Sequence, residues 1–331
     1  MPAIARFVLL LHLLALGPVA CGPVTFVVGI GPGQQDLEPT VVHADEGRRL
    51  PRVALIDISG LIVNAERPRL IQQGENPVAL IYEQLEAARQ DRRVEAIVLR
   101  INSPGGSVTA SDAVHRQVQR FREATGKPVV ALMMDVAASG GYYVACAADE
   151  IVAHPTSVTG SIGVIVQTIS VQPALHRWGI QTEALTSGSS KAAGSPLTTL
   201  TDEHRAVLQA MVDDLYKQFV DVVHAARPGL SEAGLQRVAD GRVISGRDAV
   251  ATGLADALGD IHDAFERAKA LAGLTHAELV RYHRPLAHVA SPYAQTPGHG
   301  TQLNVMQLNV DQTLLGPGLP VGIYYLWRPD L

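Results

Sequence analysis

Two segments of this chain follow the same order: an apolar run, a turn rich in glycine and serine, then a helix-forming stretch. The first apolar run is Val94 to Ile101, its turn is Asn102-Ser103-Pro104-Gly105-Gly106-Ser107, and its helix is Thr109 to Ala124, with Val114, Val118 and Phe121 on one face. Gly126 and Pro128 end that helix. The second run is Val129 to Met134, followed by Asp135-Val136-Ala137-Ala138-Ser139-Gly140-Gly141 and the breaker-free stretch Tyr142 to Ala148. Strands alternating with helices pair in parallel, through right-handed crossovers. The pattern therefore predicts an α/β fold with a mostly parallel sheet. Sites in such sheets form outside the carboxyl ends of the strands. Both glycine turns fall there, so Asn102 to Gly106 and Asp135 to Ser139 are expected to be neighbours.

Other elements fit this frame. Val53 to Ile58 reads as a strand, and Pro77 to Gln90 as a helix with Val78, Ile81, Leu85 and Ala88 on one face. Glu150 to Ala153 is a short strand, and Val158 to Gly163 opens another over Val164 to Ile169. The chain then turns helical. A short helix at Ala174 to Trp178 precedes a strand at Thr182 to Leu185 and a polar loop, Thr186 to Pro196. Thr201 caps a long helix striped by Leu208, Met211, Val212, Leu215, Phe219, Val222 and Val223. Ser231 to Asp240, Arg247 to Thr252 and Asp260 to Leu271 complete the helices.

The ends differ in composition. Residues 1–21 carry Arg6, the apolar run Phe7 to Leu16, and Ala20 before Cys21. This suits a secretory signal, a lipoprotein signal with Cys21 lipidated, or an uncleaved anchor, and each exports the remainder. Residues 22–50 read as a linker. Its Gly29-Ile30-Gly31-Pro32-Gly33-Gln34 is no dinucleotide loop, because Gln34 takes the third glycine's place and Pro32 blocks a helix start. Residues 51–274 form the folded domain. Residues 275–331 are a Pro/Gly-punctuated tail of uncertain structure. Its apolar end, Val321 to Trp327, suits a final edge strand or docking into a groove. Net charge is −5, which argues against nucleic acid as a partner. Cys21 and Cys146 cannot make a disulfide framework.

Ser139 is the residue with chemical promise. At a strand-to-helix junction its hydroxyl stands on a rigid support, and the two following glycines let a substrate backbone approach. The competing reading is an ordinary turn with Ser139 as a helix cap. If the two turns meet, the N–H groups of Gly106 and Gly140 converge on one point and can hold an oxyanion. A serine nucleophile also needs a base. None of the twelve histidines is tied to Ser139 by a motif. His154 is nearest in sequence, and His115, His204 and His224 fall at helix positions that look solvent-facing. Among the lysines, only Lys191 lies in a loop of small residues, with no acid in that loop to pair with it. A lysine base must be neutral, which requires desolvation and no carboxylate partner. Ser161 could hold its amine. A solvated loop lysine is the alternative.

Four motifs in order carry a resemblance. Asn102-Ser103-Pro104-Gly105-Gly106, Ala138-Ser139-Gly140-Gly141-Tyr142-Tyr143, Thr159-Gly160-Ser161-Ile162-Gly163, and Gly188-Ser189-Ser190-Lys191 with Gly194-Ser195-Pro196 closely resemble the signal peptide peptidase A family. These are membrane-associated Ser/Lys proteases of the Clp protease/crotonase-like superfamily. The resemblance covers about Val53 to Leu274. It implies a Clp protease/crotonase-like fold of stacked, mostly parallel sheets with surrounding helices. It makes Ser139 the nucleophile, Lys191 the base and Ser161 the residue that orients the lysine, with Gly106 and Gly140 as the oxyanion hole. It implies no cofactor and no metal. Its substrates would be cleaved signal peptides, met on the extracytoplasmic (periplasmic) side of a membrane. It also implies a homo-oligomeric, dome-like ring whose sites are shared between subunits, as in the family's single-repeat form. Ser190 stands where an aromatic residue often precedes the lysine. Two rivals use the same fold: a crotonase-like thioester hydratase or hydrolase, and a non-catalytic membrane scaffold.

Overall fold

The computed structural model describes residues 36–65, 75–285, 291–292 and 324–327. The parallel heart of the sheet is β2 (Arg52–Ser59), β3 (Val94–Ser103), β5 (Val129–Ala138) and β6 (Glu150–Ala153), side by side in that order. Buried residues alternate along these strands, as the two-residue period of a strand requires. Ile56, Ile97, Leu99 and Met133 face one layer; Leu55, Val98, Val130 and Leu132 face the other. The first layer packs on α1 (Pro77–Gln90), α2 (Val108–Thr125) and α3 (Gly140–Ala145), the second on α8 (Ile261–Leu271). Helix ends follow the sequence chemistry. Asn76 caps α1 ahead of Pro77, Gly126 ends α2 in the left-handed region at φ 67°, and Asp260 and Asp263 make a reciprocal capping box on α8.

Two expectations about the ends are corrected. Residues 38–44, read as linker, form β1 (Glu38–Ala44). Residues 278–283, read as tail, form β10 (Glu278–His283), antiparallel to β1 and parallel to β2. Charge hid β10 in the sequence, since Arg281 interrupts its apolar run. Arg281 is nevertheless fully buried, and the Asp57 carboxylate on β2 accepts hydrogen bonds from both Arg281 and Arg100. Asp45, just past β1, accepts from Lys269 Nζ at 2.7 Å and from the Ala277 N–H at 2.9 Å, tying β1 to α8 and β10.

At the carboxyl end of β5 the sheet branches. β7 (Val158–Gly160) pairs in parallel with the last residues of β5, and β8 (Val243–Ser245) pairs with β7. Beyond β6 lies β9 (Ala257–Leu258), preceded by α7 (Gly246–Thr252). The expected strands at 164–169 and 182–185 are not formed; only Ile165 makes a bridge, to Tyr324. Apart from Ile165 these residues pair with no strand among the described residues and stand in an exposed apolar arm, in which Trp178 and Leu185 are 77% and 92% exposed. The arm holds α4 (Gln172–Arg177) and leads into α5 (Asp202–Ala226), capped by Thr201 as expected, then α6 (Glu232–Val238). Among the described residues no helix is long and apolar enough to cross a membrane. Residues 1–21, including Cys21, lie outside the described residues.

Candidate active site

β5 runs through Ala138 and delivers Ser139 directly to the first turn of α3. Ser139 has φ 52° and ψ −117°, a region that residues with a Cβ rarely occupy. Two backbone bonds hold it there: its N–H donates to the Gly160 carbonyl at 2.8 Å, and its carbonyl accepts from the Tyr143 N–H at 2.9 Å. The ordinary-cap alternative fails, because the Ser139 side chain makes no capping bond. Ser139 is 1% exposed.

The two glycine turns do meet. β4 (Gly105–Ser107) follows β3 at once. A Cβ on Gly105 would stand 2.7 Å from the Gly140 nitrogen, and one on Gly140 would stand 3.2 Å from the Gly105 Cα. Gly105, at φ +104°, is therefore required both for its conformation and for the approach of α3. Ile62 N–H donates to the Gly105 carbonyl and Ser107 N–H to the Ile62 carbonyl. Because a strand's amides alternate sides, the Gly106 N–H faces away from Ile62. On that side lies β11 (Tyr324–Leu326), antiparallel to β4 with Tyr325 opposite Gly106.

Ser161 sits one residue past the end of β7. Ala138 and Gly160 are in register, so Ser139 and Ser161 follow at the same level on neighbouring strands. Ser161 is buried, has φ 49°, and donates its N–H to the Arg242 carbonyl at 2.7 Å. Lys191 stands apart. It lies on an exposed 3-10 turn, Ser189–Ala192, and among the described residues its side chain makes no hydrogen bond or ion pair. The loop has an acid nearby after all: Glu203 of α5 accepts from Ser189 Oγ at 2.7 Å and Ser190 Oγ at 3.5 Å. Thus Ser139, Gly106, Gly140 and Ser161 gather at one end of the sheet, and within one chain Lys191 is not hydrogen-bonded to any of them.

The histidines are corrected in part. His115 and His204 are buried rather than solvent-facing; His224 is exposed. Burial lowers His115 to about 4, so its imidazole is neutral at physiological pH. His204 bonds to the Ser189 carbonyl and His154 to Thr156. Among the described residues none bonds to Ser139.

Three residues near the site carry no assigned role from the sequence alone. Among the described residues Ser111 Oγ is buried without a hydrogen-bond partner, 2.4 Å from where a Cβ on Gly140 would stand. Tyr143 and Phe219 place their rings 5.1 Å apart beside β11. Tyr143 could have been suspected from its place four residues after Ser139. Phe219 lies on α5 and reads as one more member of an apolar stripe.

A buried serine on a strained strand–helix junction, beside glycine backbone on a parallel sheet, defines the Clp protease/crotonase-like class. The Clp protease family model matches residues 54–159, and the model of Peptidase family S49 matches residues 121–275. A Synechocystis protein named as a candidate protease is 32% identical over 223 residues, covering 67% of this chain and 75% of that protein. Protease 4 of Salmonella typhi is 38% identical over 230 residues (70% of this chain, 36% of its own length), and the chloroplastic serine protease SPPA of Arabidopsis thaliana is 32% identical over 267 residues (80% and 38%). The chain belongs to peptidase family S49, a family of serine proteases. It spans little more than a third of the Salmonella and Arabidopsis proteins.

Proposed function

We propose that this chain is a membrane-associated serine endopeptidase that degrades signal peptides left after their release, through an acyl-enzyme on Ser139. The observation that carries this reading is the backbone at Ser139, held at positive φ against Gly160 with Gly105, Gly106 and Gly140 beside it. Such strain is tolerated where the surroundings impose it, and it is common at functional sites. In the proposed reaction Lys191, as the neutral amine, takes the Ser139 proton. Ser139 Oγ adds to the peptide carbonyl, and the oxyanion is held by the N–H groups of Gly106 and Gly140. The amine leaves with the proton, and water then hydrolyses the ester. Ser161 orients the lysine.

A lysine base has to be withdrawn from water, and Lys191 lies exposed in the single chain. Among the described residues no other segment shields it. The exposed apolar arm around Lys191 favours a second copy as the cover, because apolar surface of this extent marks interaction sites. We therefore propose a homo-oligomeric ring in which Lys191 of one protomer serves Ser139 of the next. Residues 1–21 would hold the assembly at the extracytoplasmic face, by an anchor or by lipid on Cys21.

Casein or signal-peptide cleavage by wild type against Ser139→Ala tests the chemistry. Wild type should cleave and Ser139→Ala should not; equal rates would remove Ser139 from the reaction. Ser139→Ala and Lys191→Ala should each be inactive, and mixed oligomers should regain activity. Absence of rescue in oligomers shown to contain both variants rules out the shared site.

A further inference from the structure

The turn that carries Lys191 is fastened to α5 at Ser189. The His204 ring meets the Ser189 carbonyl at 2.8 Å, and Glu203 Oε1 accepts from Ser189 Oγ at 2.7 Å. Ser189 is thus gripped by main chain and side chain, two positions before Lys191. Other bonds of the turn stay within the arm. Thr186 Oγ1 and the Lys191 N–H both donate to the Gly188 carbonyl, and Thr198 Oγ1 donates to the Ala192 carbonyl.

Both anchors come from one helix end. Thr201 caps α5, and its Oγ1 accepts from the His204 N–H at 3.2 Å, which sets the first turn. Neighbours on a helix point about 100° apart. Glu203 and His204 therefore reach Ser189 from different directions and together define where it stands. Glu203 Oε1 also accepts from Ser190 Oγ at 3.5 Å. The one acid beside this loop is thus engaged by serine hydroxyls and, among the described residues, forms no ion pair with Lys191.

His204 is an unexpected residue to bury at this point. The described residues of α5 bury His204, Phe219 and Val223, yet leave the apolar Val207 and Met211 exposed. A carbonyl only accepts, so the nitrogen facing Ser189 is Nε2–H, and in the neutral ring Nδ1 keeps a lone pair. That Nδ1 is buried and has no partner among the described residues. Leaving it unpaired lowers stability, and an apolar side chain would avoid the loss. What the histidine contributes is the bond to the Lys191 turn.

We propose that His204 is a positioning residue for proteolysis: with Glu203 it holds the Ser189–Ala192 turn, so that Lys191 is presented in one fixed place to Ser139 of a neighbouring protomer. The proposal rests on the Ser139–Lys191 reading above. His204 touches neither the substrate nor the reacting atoms and acts through Ser189. Without its bond the turn keeps only the Glu203 anchor, and a misplacement of about 1 Å can cost a reaction roughly a hundredfold. Such a loss falls on kcat, because peptide binding does not use the lysine.

Casein cleavage by the full chain tests this. His204→Leu should lower kcat at least about tenfold and leave KM within about twofold. His204→Gln, whose amide nitrogen can stand where Nε2 stands, should stay within about threefold of wild type. His204→Asn is too short to reach Ser189 and should behave like His204→Leu; equal rates for the two amides overturn the proposal. Mixed oligomers separate positioning from folding. Sites formed by Ser139→Ala chains with Lys191→Ala chains take their lysine from the Ser139→Ala chain. Adding His204→Leu to that chain should cut the rescue at least about tenfold. Adding it to the Lys191→Ala chain, whose turn carries no base, should leave the rescue unchanged. Equal loss in both arrangements makes His204 a purely structural residue and overturns the proposal. Ser189→Ala avoids any dependence on the folding of His204 variants, since Ser189 is exposed. It removes the second anchor and should lower kcat about threefold to tenfold at unchanged KM; a wild-type kcat also overturns the proposal. If the two parent variants do not rescue each other, the shared site is lost, while the contrast between His204→Gln and His204→Asn still decides the role of His204. Failure of wild type to cleave casein, with no fluorophosphonate on Ser139, removes both readings.

Discussion

The Ser139 N–H donates to the Gly160 carbonyl at 2.8 Å, and this bond joins the end of one strand to the end of its neighbour at the point where the backbone turns to positive φ. The hydroxyl is not what holds the turn, since it makes no capping bond to α3. The strain therefore belongs to the Cβ of residue 139. Backbone in such a region costs roughly 1–3 kcal/mol for a residue with a Cβ. Ser139→Ala should keep that strain. Ser139→Gly should relieve it, offset by about 0.5–1 kcal/mol of extra freedom in the unfolded chain. The expected outcome in urea unfolding is that the glycine variant is the more stable of the two, although both are inactive. A glycine variant less stable than the alanine variant would mean that the turn is not strained.

Gly140 faces Ser111 across the same turn. A Cβ at 140 would stand 2.4 Å from Ser111 Oγ, too close for either to remain in place. Gly140→Ala should therefore displace the first turn of α3 and reduce kcat by about 10²–10³, the size expected when an oxyanion donor is lost. Ser111→Ala alone should be close to neutral in stability, because it removes a buried hydroxyl that has no partner among the described residues. The double variant should regain part of the lost activity. Double-mutant-cycle kinetics check this, and additivity of the two changes would show that the contact is not what limits Gly140.

How far the sequence foretold this architecture varies along the chain. Strands β2, β3, β5 and β6 were legible because both faces are buried, so each reads as an unbroken apolar run bounded by turn residues. The meeting of Asn102–Gly106 with Ser139 followed from strand–helix alternation alone. Strand β10 was not legible, because buried Arg281 and His283 give it a polar composition whose partners lie far away in sequence. Phe219 was legible as an apolar residue of α5, but its place beside Tyr143 depends on how a distant helix packs. Lys191 was noticed for its loop of small residues; the company of Glu203 depends on a helix fourteen positions beyond Ser189.

His115 gives the fold a pH dependence with a definite sign. Burial holds it at about 4 in the folded protein, against roughly 6.5 when unfolded. Above about pH 6.5 both states are neutral there and the group has no effect. As pH falls from about 6.5 to 4, the unfolded chain takes up a proton that the folded chain refuses, so stability is lost. The loss approaches about 3 kcal/mol at the lower end. His115→Phe should remove this component while keeping an aromatic ring against Tyr143, which the native imidazole meets edge-on at 5.0 Å. Urea midpoints of the two proteins, measured from pH 7 to 4, should converge or cross as pH falls. Parallel curves would show that His115 is accessible to protons in the native state.

Asp57 carries a further prediction about stability, and it concerns the strand that composition concealed. Its carboxylate lies between Arg100 on β3 and Arg281 on β10, accepting from Arg100 Nε at 2.6 Å and from the Arg281 guanidinium. All three side chains are nearly excluded from solvent. Desolvation lowers Arg281 from its usual range, and the Asp57 carboxylate opposes that shift. Removing one partner from such a group leaves an uncompensated buried charge, which typically costs about 3–5 kcal/mol. Asp57→Asn, nearly equal in size, should lose that amount in urea unfolding. Arg281→Met should lose less, because Asp57 keeps Arg100 and the methionine fills apolar space. If Asp57→Asn unfolds within 1 kcal/mol of wild type, or Arg281→Met is the worse of the two, then packing rather than charge secures β10 against β2.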